Sequence, residues 1–199
     1  MKISYFSALI LLLSLVACSE EATVPKPRAY PKIEYPQKVT YSAFDTNFCA
    51  FTFDQPSYMT ISQDTTSNNK NKKNLCWFNL EAPIFNATIH FTYEPVKNRD
   101  EVYHFFDDAY RMASLHDKKA DFNNDYNFSN PASKVYGVLF DIEGNVASEF
   151  QFAVTDSTHH ALRASLYFNA RPNQDSLKPM AEFVKADMMK MLNTLKWKS

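Results

Sequence analysis

Glycine occurs only twice in 199 residues, at Gly137 and Gly144. A typical chain of this length carries roughly 14. A dinucleotide fingerprint or a P-loop needs several closely spaced glycines so that backbone can approach phosphate. Neither can be built here, and neither can a G-x-S-x-G nucleophile elbow. An EF-hand calcium loop is excluded too, because neither glycine stands among carboxylates at the required spacing. Material for a core is ample, with 17 Phe and 11 Tyr. The formal net charge is -1, so there is no basic surplus of the kind a nucleic-acid partner selects for.

The N-terminus reads as a targeting segment. Lys2 precedes ALILLLSLVA at positions 8–17, an apolar run of about ten residues. A membrane-spanning helix needs about 20, whereas this length suits a signal peptide. Leu15-Val16-Ala17-Cys18 resembles the lipobox of bacterial lipoproteins, in which a peptidase cuts before the cysteine and its thiol carries a diacylglycerol. Cys18 is therefore the expected lipidation site and the membrane the expected first partner, since several acyl chains hold firmly where one does not. Ser19, rather than Asp, at the second position points to the outer membrane and leaves open which face.

The expected organisation is a signal peptide at 1–17, a lipidated cysteine with a Pro-rich tether at 18–37, and one domain at 38–199. Pro25, Pro27, Pro31 and Pro36 make the tether stiff and extended, although Tyr30, Ile33 and Tyr35 offer side chains with which it can lie along the domain. Apart from Cys18 there are two cysteines, Cys49 and Cys76. In an oxidising compartment they can pair, closing a loop of roughly 28 residues that the chain-entropy model values at roughly 3 to 4 kcal/mol. The alternative is that both thiols are buried small apolar groups.

Strands are expected over 41–53 and 75–80, and over 87–93, where Ala87, Ile89, Phe91 and Tyr93 alternate with Thr88, His90 and Thr92. The segment 63–74 is a polar loop. Asn98 or Asp100 caps a helix to about Ala120 whose stripe is Val102, Phe106, Ala109 and Ala113. After a polar stretch come strands over 135–142, 146–155 and 161–168, with a hairpin turn at 143–145 that uses Gly144. Gly137 stands within a strand, where close backbone approach or a bulge is its reason. Ser176 caps a last helix with Pro179 in its first turn, a stripe of Leu177, Met180, Val184, Met188, Met191 and Leu195, and Asp187, Lys185 and Lys190 off it. Its methionines fit core packing or a peptide groove. The order gives an α+β domain: an antiparallel sheet with two helices packed on one face, loosely similar to the Mog1/PsbP-like superfamily.

No catalytic constellation emerges. His159 and His160 are adjacent, so in a strand they point to opposite faces. His104 and His116 lack the i, i+4 spacing of a zinc pair. Neither Cys49 nor Cys76 has a histidine partner nearby in sequence. No metal, cofactor or catalytic residue is expected. Loops carry function more often than strand interiors, so the candidate interaction residues are Asp141, Glu143 and Asn145, then Asp156 and His159, then Arg171 and Asn173. An envelope lipid- or glycan-binding or processing domain is the alternative function class.

Whole segments carry a resemblance: PKPRAY at 25–30, IEYP at 33–36, CWFNL at 76–80, FNATIH at 85–90, DIEGNVAS at 141–148, TDST at 155–158 and ASLYFNARP at 164–172. The chain is similar to the gliding motility lipoprotein GldD family of the Bacteroidota. The resemblance implies an envelope lipoprotein needed for gliding, acting with the machinery allied to the type IX secretion system, and it transfers no catalytic residues. If Cys49 and Cys76 pair, the intact mass of the envelope-purified protein falls short of the reduced mass by two hydrogens under non-reducing conditions. Free thiols there would refute the pairing.

Overall fold

A computed structural model describes residues 33–63 and 76–198. The signal segment, Cys18, the tether up to residue 32 and residues 64–75 lie outside the described residues. Along the chain the elements are β1 (Tyr41–Asp45), β2 (Phe51–Pro56), β3 (Thr60–Gln63), β4 (Trp77–Ala82), β5 (Ala87–Pro95), α1 (Arg99–Ser114), β6 (Ala120–Asn130), β7 (Val135–Gly144), β8 (Phe150–Thr155), β9 (His160–Phe168), α2 (Gln174–Thr194) and β10 (Lys196–Trp197). Seven strands form an antiparallel sheet in the order β3-β4-β5-β9-β8-β7-β6, and a smaller sheet has the order β1-β2-β10. This is an α+β fold.

The helices take opposite faces of the large sheet, not the same one. Period-2 alternation sends Val138, Phe140 and Ile142 of β7, Ala153 of β8 and Ala161 of β9 toward α1, where they meet Phe105, Ala109 and Ala113. The intervening Phe152, Val154, Leu162, Ala164 and Leu166 point the other way, toward Leu177, Val184, Met188 and Met191 of α2 and toward the small sheet. β8 is accordingly buried at every position. The sequence of β9, with apolar residues on one face and Ala161, Arg163 and Ser165 on the other, hides this two-sided covering.

The small sheet is bound to the large one through aromatic rings. Phe44 of β1 stacks on Phe53 of β2 at 4.6 Å and on Phe78 of β4 at 4.7 Å. Phe78 in turn stacks on Phe91 of β5 at 4.8 Å, and Phe53 closes the ring onto Phe91 at 5.5 Å. The disulfide Cys49–Cys76 joins the β1–β2 loop to the residue preceding β4, so a covalent link runs beside the stack. The methionines of α2 are core residues. The end of the tether docks on this side as well, with the Tyr35 ring 5.6 Å from Phe85 and 5.3 Å from Phe183.

Several boundaries differ from the sequence expectation. α1 starts where expected, with the Asn98 side chain accepting from the Glu101 N–H at 2.9 Å, but ends at Ser114, because residues 115–119 coil into turns that lead directly to β6. The sequence of β6 reads as a polar stretch. Its sequence, ADFNNDYNFSN, is exposed over most of its length, so it shows no burial period; it is held by its ladder to β7. The β7–β8 connection is wider than a tight hairpin, since β7 continues to Gly144 and β8 begins only at Phe150. Gly144 has φ 126°, and a side chain there would meet Asp121 N and Lys119 O at 2.8 Å. Gly137 is a close-approach position: a Cβ would lie 2.0 Å from the Ala153 carbonyl oxygen on β8.

α2 begins at Gln174 after Asn173, three residues before the expected start, and Pro179 therefore lies inside the helix. Asp187, expected off the buried stripe, is 5% exposed. Its two carboxylate oxygens each accept one phenol hydroxyl at 2.5 Å, Oδ1 from Tyr41 and Oδ2 from Tyr58. A buried charge is tolerable when it is fully hydrogen-bonded, and the period-based reading had no means of anticipating the two phenols. Burial, then the bond to Asp187 and its charge, push the Tyr41 phenol up to about 12, and the same causes push Tyr58 up, so both remain donors at neutral pH. Tyr58→Phe leaves one oxygen of Asp187 without its donor, at an expected cost of about 1–3 kcal/mol in urea denaturation; Tyr41→Phe, at the more open position, costs less. Unchanged midpoints for both would refute the clamp.

Candidate functional site

Antiparallel order puts the candidate residues at two ends of the sheet. At one end the β7–β8 loop meets the β9–α2 connection. Asn173, the residue before α2, makes no side-chain cap bond; instead Asn145 reaches across from the loop and accepts from the Gln174 N–H at 3.0 Å. Helix N-termini have free amides that need such acceptors, so Asn145 ties the loop to the helix. Asp141 ion-pairs with Lys185 of α2, and the Lys185 ammonium lies 5.2 Å from the Phe150 ring centroid. Glu143 is exposed beside them. Arg171 is exposed on the connection and makes no hydrogen bond or ion pair among the described residues.

Asp141, Glu143, Glu149, Lys178, Glu182 and Lys185 line a cavity of about 100 Å³ at this end. Glu149, Lys178 and Glu182 were missed from the sequence. On α2 the i, i+4, i+7 spacing of Lys178, Glu182 and Lys185 marks a polar face, and that was the available signal; Glu149 had none. Burial pushes the Glu149 carboxyl up to about 7, with Asp141, Glu143 and Glu182 adding to the rise and Lys178 opposing it. The arrangement holds a proton near neutrality and presents mixed charge.

The opposite end carries the β8–β9 turn. Burial alone would raise the Asp156 carboxyl, but the N–H groups of His159, His160 and Thr158 and the Thr158 hydroxyl outweigh it and hold the pKa at about 2. Ser157 takes φ 69° within this turn. The two histidines diverge in role. His159 is exposed, whereas the His160 ring stacks on Trp197 at 5.1 Å and its Nδ1 is 2.8 Å from the Tyr93 hydroxyl. Burial holds the His160 pKa below the ordinary value, the Asp156 charge opposing it. His159, His160, Phe48, Cys49 and Lys198 border an open hollow of about 640 Å³. Among the described residues no cluster of three or more His, Cys, Asp or Glu side chains could hold a metal.

The structure thus brings Asp141, Glu143, Asn145 and Asn173 together and places Asp156 and His159 at the far end. Comparison with curated proteins returned no match. The family model for the gliding motility lipoprotein GldD matches residues 20–197. The chain belongs to the GldD family. Membership makes it a lipoprotein of gliding motility, associated with the cell envelope. No helix among the described residues is long and apolar enough to cross a membrane. In fold the chain is similar to the solution structure of cyanobacterial PsbP from Synechocystis, at 10% identity and a TM-score of 0.45, over 87% of this chain and 99% of that one.

The Asp156 turn yields a pH prediction. A carboxylate whose folded pKa is depressed adds stability above its unfolded value, near 4, and that stability is lost as pH falls toward about 2. Asp156→Asn should therefore lower the thermal midpoint at pH 7 by a few degrees, with the gap to wild type closing between about pH 4 and 2. A gap independent of pH over that window would contradict the assignment.

Proposed function

We propose that this GldD-family chain is a non-catalytic interaction or assembly factor of the gliding apparatus and the allied type IX secretion machinery, anchored through Cys18 to the outer membrane. The observation that carries this reading is the way the fold fixes exposed polar loops in place. The Asp156 turn is held by four hydrogen bonds to a single carboxylate, and the β7–β8 loop is bound to the first amide of α2. Loops held in one conformation lose little entropy on meeting a partner, which suits docking surfaces. The cavity of about 100 Å³ beside Asp141 is small against the roughly 300–1,000 Å³ of small-molecule sites.

A second reading, binding or processing of an envelope lipid or glycan, draws on the open hollow of about 640 Å³ next to His159, Phe48 and Lys198. The two readings part in one experiment. Photocrosslinking residues placed at Glu143, Asn145 and His159 in living cells should each capture envelope proteins of the gliding or secretion machinery, identified by mass spectrometry. Recovery of no envelope protein, together with normal gliding and normal type IX secretion on deletion, would overturn the favoured reading; lipid or glycan adducts at His159 alone would support the second.

A further inference from the structure

We propose that the outer edge of β6 is a strand-addition site for an extended, basic segment of a partner polypeptide. The proposal rests on the interaction reading above and adds the mode of contact and the chemistry of the partner. β6 has 11 residues and ends the seven-stranded sheet, so it offers roughly 35 Å of ladder, and no strand among the described residues pairs with its outer side. The opposite edge, β3, has 4 residues among the described ones. Sheet edges are ordinarily blunted by shortness, lysine or proline, and β3 follows that rule. β6 contains neither lysine nor proline. A long open edge is the template used in β-augmentation, where main-chain bonds give affinity and alternate side chains give specificity.

The side chains flanking this edge select the occupant. Register places Asn123, Asp125 and Asn127 opposite Ile142, Phe140 and Val138, on the α1 face, and Phe122 and Tyr126 opposite Glu143 and Leu139, on the α2 face. Phe122 and Tyr126 are 63% and 52% exposed and, four positions apart on one face, stand roughly 13 Å from each other. An added strand alternates in the same way, so one set of its side chains covers these two rings and is apolar. Asp121 and Asp125 have no ion pair among the described residues, and β6 itself contains no cation. Charge complementarity therefore calls for Lys or Arg on the partner strand, the set beside Asp125 and the Tyr110 phenol that bonds it at 3.2 Å. A second copy of the chain is a poor occupant, because full antiparallel overlap of two β6 strands sets Asp125 against Asp125, and like charges directly opposite are destabilising.

The test uses the full-length lipidated protein in detergent micelles and fluorescent nonapeptides read by anisotropy. The probes are a peptide alternating Lys with Phe or Val, the same peptide with Glu for Lys, and two analogues of the first N-methylated at odd or at even amides. The Lys peptide should bind, the Glu peptide at least tenfold more weakly, and one of the two N-methylated analogues should lose at least tenfold. Asp121→Lys with Asp125→Lys should reverse the charge preference, and Phe122→Ser with Tyr126→Ser should weaken binding at least tenfold, each with an unchanged far-UV spectrum. Absence of binding, indifference to both N-methylation patterns or indifference to the β6 variants would overturn the proposal. So would a dimer in sedimentation equilibrium that the same variants dissociate. If the edge fails these tests while crosslinks from Glu143, Asn145 and His159 persist, the interaction reading stands without it; loss of both removes the reading as well.

Discussion

The ring of Phe44, Phe53, Phe78 and Phe91 is the contact on which the rest of this structure depends. The small sheet is little more than the β1–β2 ribbon, since β10 adds 2 residues, and a two-stranded ribbon is marginal alone; here it contributes two rings, the large sheet contributes two, and all four are nearly parallel. Each fully buried Phe is worth about 1.5–3 kcal/mol in transfer terms, and stacked pairs add to that. The disulfide between Cys49 and Cys76 holds the two sheets together at the edge of the same stack. With the small sheet in place, a surface exists for the C-terminal half of α2.

The buried carboxylate follows from that arrangement. α2 lies against both the large sheet and β1–β2, and on that side the Tyr41 and Tyr58 hydroxyls converge on it. Asp187 supplies the acceptor that two buried hydroxyls require. The Thr194 hydroxyl, which accepts from the Asp54 N–H at 2.9 Å, fastens the other end of the helix to β2. The polar contacts between α2 and the small sheet therefore fix register, while the rings and methionines provide the bulk of the burial.

Much of this was legible in the chain itself. Strict alternation found β5 and most of β9, and the three-and-four spacing found both helices, because in those segments one face is buried and the other wet. The readings that failed share a physical cause: the period carried no burial contrast. β8 is buried on both faces, so nothing in its sequence told which helix lay on which side. β6 is exposed along most of its length, with only Ala120 and Phe128 of its apolar residues partly buried, so backbone pairing places it and leaves no hydrophobic period. Asp187 looked like a solvent residue because a charge off an apolar stripe usually is one, and its two partners are 146 and 129 residues away. At the site, loop residues were recognisable from turn chemistry, but the grouping of Asn145 with the α2 N-terminus depends on a β-order that local pattern does not encode.

The covering of both sheet faces also limits where this protein can meet anything else. α1 covers β7, β8 and β9 on one face of the large sheet, and α2 with the small sheet covers the other, while β6 stays open along most of its length. Among the described residues, free surface includes the loop clusters at the two ends, the outer strand edges with the faces of β6, and the outward sides of the helices. The loops at both ends are locked by hydrogen bonds to Asp156 and Asn145. Of the edges, β3 is short while β6 is long and flanked by exposed rings. Among the described residues the domain presents hydrogen-bonded ends and one long edge on the large sheet, surfaces that backbone pairing and loop contacts can use without an enclosed pocket.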